Sequence, residues 1–305
     1  MNKKMEAIVK EIDRLPPFPQ VVMQAMEILQ DPESSADDVV KVIQYDQAVT
    51  ANCLMLCNSS YFGLKDRVDS LKHAVVLLGA SNLVRVVVAD NFRAAVFHRG
   101  RYGHKQKPEA LWWHCATTAI ISQLLARKVG FSDAHALFTA SLLHDMGKLV
   151  IDRFVSDDFE NMAALMQEEG FGKLDAEKSY FGIDHAAVGG MIAEAWEMPE
   201  ELIHAIVSHH EPDAPLAEPG IASLTAVSNM LHHHFLKPGD SKPSSENQTP
   251  LKNEIMDSHG LTSMDVEDIG KNLPTEIKKA AEILRLPTGG ESSAEDLPWD
   301  EGLQR

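Results

Sequence analysis

An all-α fold follows from three features of the sequence. Apolar residues recur at three- and four-residue spacing in nearly every informative segment. Capping residues, prolines and glycines separate these segments at helix-sized intervals. No run alternates apolar and polar residues over a persuasive strand length, so helices packed on helices are the expected solution. A chain of 305 residues is long enough for a large core and one or two domains.

The elements follow in order. Asp31-Pro32-Glu33 places proline and acid at a turn, and Ser35-Ala-Asp-Asp38 opens a helix that reaches about Gln44, with Val39, Val40, Val42 and Ile43 on one side. Thr50 to Leu56 forms a second short helix, stopped by Asn58-Ser-Ser60 and Gly63. Ser70 starts another that ends near Leu78-Gly79. A long helix runs from Ser81 to about Phe97, where Arg99-Gly-Arg-Tyr-Gly-His104 breaks it. Pro108 marks the first turn of a helix closed by Gly130 after Val129. Ser132-Asp133 caps the helix expected to carry His144-Asp145. Asp157 to Glu169 is amphipathic and ends at Gly170. Further helices are expected over Asp175–Tyr180, His185–Trp196, Pro199–Ser208 and Ile221–Phe235.

Composition then changes. Lys237 to Pro250 is rich in Pro, Ser, Gly, Asn and Gln and reads as a linker. Met264 to Leu286 is expected to form two short helices, one of them Pro274–Leu284, and the chain from Thr288 onward is polar and acidic. The division that results is an N-terminal helical subdomain over residues 1–100, a second helical subdomain over 101–236, a linker over 237–252 and a tail over 253–305.

Charge excludes one class of function. A formal net charge of -17 repels phosphate backbones, so nucleic acid is not an expected partner. Cys53, Cys57 and Cys115 are odd in number, lie in apolar helical surroundings and read as reduced core thiols. With no apolar stretch of bilayer length and no secretory signal, a soluble cytoplasmic protein is expected.

The chemistry is concentrated in histidines. His144-Asp145 sits inside the apolar run Ala136–Ile151, where an imidazole and a carboxylate are costly unless something pairs with them. Each histidine has a plain structural reading. His114 suits a core histidine bonded to a carbonyl, His185 follows the capping residue Asp184, and His209-His210 closes a helix where imidazolium favours the dipole. Together they are four helices offering ligand-type side chains to one centre, which a divalent cation would explain at once. Successive helical residues diverge by about 100°, so Asp145 could bridge two cations while His144 serves one. Lys148 suits either a phosphate contact or a charge near a helix end. His73, His98, His104, His135 and His204 have no evident partners, and His232-His-His234 reads as a solvated helix end.

Leu142-Leu-His-Asp-Met-Gly-Lys-Leu149, with His114 before it and His185 and His209-His210 after it, resembles the HD superfamily of metal-dependent phosphohydrolases. Leu15-Pro-Pro-Phe-Pro19, Asp31-Pro32, Val42-Ile-Gln-Tyr-Asp46, Leu56-Cys-Asn-Ser59 and Leu77-Leu-Gly79 resemble, more specifically, HDOD domains, HD-related output domains of bacterial signalling. The resemblance spans roughly Leu15 to Pro212. It implies an N-terminal bundle packed on an HD-like bundle, and a role in signalling. By similarity to metal-binding HD-GYP relatives, His114, His144, Asp145, His185, His209 and His210 match ligand positions, and Asn229 stands where relatives carry a final Asp. A carboxylate used by some relatives one turn before the first His is Ala110 here. No Gly-Tyr-Pro segment follows the paired histidines, so cyclic di-GMP hydrolysis is not expected.

The implied cofactor is one or two divalent transition-metal ions, iron first, with manganese, nickel or zinc as alternatives. The expected partner is a signalling protein or a small nucleotide. The alternative activity is phosphohydrolysis, with Asp145 bridging and Lys148 steadying the phosphate. A structural adaptor is the third reading.

Overall fold

A computed structural model describes residues 3–15, 17–31, 33–58, 67–99, 108–157, 161, 172–211, 220–236, 256, 258–281, 284 and 286. Its regular elements are helices: α1 (Lys3–Ile12), α2 (Gln20–Gln30), α3 (Ala36–Ile43), α4 (Gln47–Cys57), α5 (Leu71–Leu78), α6 (Ala80–Arg99), α7 (Pro108–Val129), α8 (Ala134–Leu143), α9 (Lys148–Asp157), α10 (Lys173–Phe181), α11 (His185–Ala195), α12 (Glu200–Ser208), α13 (Ile221–Phe235) and α14 (Ser263–Ala280). No strand occurs among the described residues, as the periodicity requires.

The caps read from the sequence are in place. Ser35 and Asp38 make a reciprocal capping box at the start of α3, and Ser70 accepts from the His73 amide to start α5. Asp133 accepts from the Ala136 amide and begins α8. Gly130, at φ +67°, closes α7, and the Phe131 amide donates back to the Ala126 carbonyl. Helices α1 and α2, over which no boundary was assigned from the sequence, add Ile8, Ile12, Val22 and Met26 to the core.

Long α7 is the hub. It packs on α6, α8, α13 and α14, while α8 also meets α6, α12 and α13. Helices α2, α4 and α5 lie on α6, so buried apolar residues from Ile8 to Leu286 form one connected cluster. Cys53, Cys57 and Cys115 are free and buried within it, and burial pushes the Cys53 thiol up to about 12 and that of Cys57 to about 11. No single helix among the described residues is long and apolar enough to cross a membrane.

Three expectations are corrected. The helix from Asp133 stops at Leu143: His144 to Gly147 form a turn, and Lys148 opens a new helix. Gly147 is the reason. A Cβ there would stand 1.8 Å from the His185 carbonyl oxygen and 2.6 Å from the Gly189 nitrogen, so this turn lies directly against the backbone of α11. Second, Met264 to Leu286 does not make two short helices: α14 is continuous with Pro274 inside it. A capping box of Thr262 and Asp265 starts it, and burial of Val266, Ile269, Leu273 and Ile277 along one stripe outweighs the hydrogen bond that proline cannot make. Third, His232 is not solvated but 5% exposed. The helix expected over Asp157–Glu169 falls largely, and the linker over 237–252, His104 and the tail from Thr288 fall wholly, outside the described residues, as does the His98 side chain.

Candidate metal centre

Four elements deliver the side chains. His114 comes from the first half of α7, His144 and Asp145 from the turn after α8, His185 from the first position of α11, and His209 and His210 from the end of α12. Local chemistry places each. The Asp184 side chain accepts from the Ala187 amide, which starts α11 and turns His185 inward. Gly189 lets α12 approach: a Cβ there would stand 2.8 Å from the Ile206 side chain.

Asp145 is the centre of the arrangement. Its Oδ2 lies 3.0 Å from His114 Nε2 and 3.5 Å from His144 Nε2. Its Oδ1 lies 3.4 Å from His185 Nε2 and 3.5 Å from His209 Nε2. His210 joins through Nε2, 2.9 Å from His185 Nε2. Two groups of ligand atoms therefore share one carboxylate: Asp145 with His185, His209 and His210, and Asp145 with His114 and His144. Either group could hold a metal ion.

Hydrogen bonding on the far side of each ring shows why these nitrogens face inward. A carbonyl oxygen only accepts, so His144 Nδ1, 2.7 Å from the Ser141 carbonyl, carries the proton. His209 Nδ1 likewise donates to the Ile206 carbonyl at 2.6 Å. His185 Nδ1 donates to Glu177 Oε2 at 2.7 Å, and the same oxygen accepts from the His185 amide at 2.8 Å. Burial pushes His144 and His185 well below the usual imidazole range, so both rings are neutral and present Nε2 lone pairs to Asp145. His209 Nε2 and Asp145 Oδ1 are buried with no hydrogen-bond partner, although they stand 3.5 Å apart. Electron pairs directed at a carboxylate repel it, and a cation between them turns that repulsion into coordination.

Charge at the carboxylate is balanced by Lys148, whose Nζ lies 2.6 Å from Asp145 Oδ2. Burial alone would raise the Asp145 carboxyl, but the Lys148 ammonium holds it well below the ordinary carboxylate range. Lys148 reaches Asp145 as the first residue of α9, across the turn, and not along a shared helix face with His144 as its spacing suggests.

Asn229 is 5% exposed on α13, and its Oδ1 has no hydrogen-bond partner. Beside it His232 and His233 meet His114: the His232 ring is edge-on with centroids 4.2 Å apart, and His233 is stacked at 5.2 Å. Thr117 Oγ1 donates back to the Trp113 carbonyl at 2.7 Å, so it accepts from His232 Nδ1 at 2.9 Å.

Sequence reasoning missed Glu177, Lys173 and His232. Each left a signal. Buried Lys173, Ala176, Glu177 and Phe181 form one stripe of α10, in which two charges sit among apolar residues. Thr225, Ser228, Asn229 and His232 form a polar stripe that is buried on α13. Of the other histidines, His73 and His135 lie away from the cluster, on α5 and α8, and His204 is exposed on α12.

Comparisons with known proteins agree with this architecture. The HDOD domain pattern matches residues 15–212. A crystal structure of an HDOD domain protein with unknown function from Geobacter sulfurreducens superposes with a TM-score of 0.70 at 24% identity, covering 94% of this chain and 98% of that one. A Shewanella amazonensis SB2B protein provisionally named a phosphohydrolase gives a TM-score of 0.66 at 22% identity, covering 92% and 97% of the two chains. At these identities the two structures speak for the fold alone. An uncharacterized protein of Treponema pallidum (strain Nichols) is 25% identical over 234 residues, 75% of this chain but only 44% of the relative's length. With the domain pattern spanning well over half of its residues, the chain belongs to the HDOD domain family.

Proposed function

We propose that this chain is a signalling protein of the HDOD family that keeps a two-cation centre and uses it to bind a phosphate-bearing ligand such as a small nucleotide. The observation that carries this reading is Asp145, whose two oxygens each face a separate set of histidine nitrogens. The donor set of imidazoles and one bridging carboxylate suits a first-row transition metal, iron first, with manganese, nickel or zinc as alternatives. A cytoplasmic setting belongs to the same reading and is supported by three buried free thiols.

The chain's residues divide the work. His114 and His144 would hold one ion, His185, His209 and His210 the other, and Asp145 would bridge them. Glu177, Ser141 and Ile206 fix the rings through their outer nitrogens. The test is elemental analysis of protein purified without a histidine tag, followed by Mn²⁺ titration of the wild type and Asp145→Ala. Bound transition metal, near two equivalents and lost in the variant, supports the reading. Absence of metal in the first measurement together with no Mn²⁺ binding in the second defeats it.

Phosphohydrolysis is the second reading, and the position of Lys148 beside Asp145 favours it. Two ions in such a centre supply Lewis acidity and an activated water. Lys148 would leave Asp145 Oδ2 to the ion and steady the phosphoryl oxygens instead. A screen of phosphomonoesters and phosphodiesters with Mn²⁺ or Fe²⁺ decides it: turnover that Asp145→Ala abolishes establishes an enzyme, and a flat screen with metal bound leaves signalling through ligand or protein binding.

A further inference from the structure

We propose that the pocket enclosed by α2, α6, α8 and α12 is a second ligand site, which takes the zwitterion of a small aliphatic amino acid between Arg85 and Asp133. The pocket shares no residue with the histidine cluster and does not depend on the metal reading above.

The cavity is the first observation. About 480 Å³, part of it open to solvent, lies where α2 and α6 face α8 and α12. Met26, Val84 and Leu202 are buried along it and Leu29 is half-buried, so three of these helices supply an aliphatic wall. An apolar wall with a few placed polar groups is the usual build of a small-molecule site. Here the wall suits an aliphatic side chain, and the polar groups select what carries it.

Charge makes that selection. Among the described lining residues Arg85 carries the positive charge and Asp133 the negative one, yet no ion pair joins them. Each is held by its own neighbours. The Arg85 guanidinium carbon lies 5.0 Å from the Phe138 ring centroid and the group donates to Asn82 Oδ1, with more N–H donors than these contacts use. Asp133 Oδ1 accepts from the Ala136 amide at 3.0 Å, and the carboxylate has lone pairs for a further donor. His135 lines the same pocket, and its Nδ1 is buried with no hydrogen-bond partner. Burial, and after it the Arg85 charge, push this ring below the usual imidazole range, so it is neutral and can donate from Nδ1 to a carboxylate. A simple carboxylic acid would suit Arg85 and His135 but would face the Asp133 charge. A simple amine reverses the mismatch. A zwitterion answers both charges and leaves neither of its own unpaired.

Calorimetry on the full-length protein tests the site with L-alanine, L-valine, L-leucine, L-isoleucine and L-methionine. At least one should bind at one-to-one stoichiometry, and its desamino acid and its decarboxylated amine should each bind about tenfold more weakly or worse. Asp133→Asn keeps a good helix cap and should lose about tenfold for the amino acid while the desamino acid holds or gains, which removes most of the preference. Methyl-labelled methionine NMR locates the ligand: the Met26 signal, identified by its loss in Met26→Leu, should shift on saturation. Asp145→Ala should bind the amino acid as the wild type does. No binding by any of these amino acids, equal binding of the analogues, an unaltered preference in Asp133→Asn or an unmoved Met26 signal overturns the inference and leaves the metal centre standing. Loss of binding in Asp145→Ala also overturns it, because the amino acid would then be chelating the metal instead.

Discussion

Glu177→Gln is the most discriminating single change. The Glu177 side chain is fully buried, and one oxygen accepts from both the ring and the amide of His185, at 2.7 and 2.8 Å. Both bonds are charge-assisted, contributing about 1.5–3 kcal/mol each against about 0.5–1.5 for neutral ones. A glutamine carbonyl can still accept, so the fold is kept at a cost of roughly 1–3 kcal/mol across the pair. The larger consequence is for His185. Without a carboxylate behind it, its Nε2 is less basic and its ring less firmly oriented, and changes of this kind weaken metal binding about 10–100-fold. That corresponds to about 1.4–2.7 kcal/mol. Competition of Mn²⁺ between the protein and a chromophoric chelator measures it directly, with urea unfolding of the metal-free protein run in parallel. Weaker metal binding by at least fivefold is the expected result. Loss of stability with metal affinity unchanged would show that Glu177 only seats α11, and the argument from ring basicity would be wrong.

Four further outcomes are expected. Gly147→Ala drives a methyl into the α11 backbone, where neither neighbour is a movable side chain, and should cost about 3 kcal/mol or more in urea unfolding. His144, His185 and His232 are buried with pKa values depressed by desolvation, so the unfolded state binds protons first as pH falls through about 6.5. Stability of the metal-free protein is thus full above that pH and falls below it, by up to roughly 4 kcal/mol per pH unit if all three count, and urea midpoints between pH 7 and 5 should show the fall. Asp145, held low, works in the same direction only below about pH 4. Trp112→Phe leaves the Leu284 carbonyl without its indole donor at 2.9 Å and should cost about 1–2 kcal/mol by the same unfolding assay. Asp145→Ala removes the bridging carboxylate and should abolish Mn²⁺ binding by calorimetry while the helical circular dichroism signal is retained.

The parts of the centre visible in the sequence were those that broke an apolar pattern outright. His144-Asp145 stands in a run with no other ionisable side chain before Lys148, and the paired His209-His210 closes an amphipathic helix, so both demanded an explanation. Lys173 and Glu177 were hidden because α10 is short and mostly polar, and a charge in its single buried stripe does not stand out among so many others. His232 was masked by its neighbours: three consecutive histidines point three ways, and only the packing of α13 on α7 decides which one is buried. The break after Leu143 escaped for a related reason. Periodicity continues from α8 into α9, and although Met146-Gly147 allows the close approach of another backbone, that signal alone does not say that the approach of α11 ends the helix in a turn. Pro274 misled in the opposite sense, since a strong local breaker was overruled by a buried stripe on α7.

Helices α13 and α14 lie beyond the segment that carries the family pattern, yet Asn229 and His232 come from one of them, and α14 shields the same helix from which His114 projects. Leu284 reaches back to tie that shield to Trp112, two residues from His114. A recombinant fragment cut at the pattern's edge would therefore lack the α13 side of the histidine cluster and expose the apolar flank of α7 to water. Such a product should aggregate and bind metal poorly for reasons unrelated to its ligands, and experiments on this centre need the chain to at least Leu286.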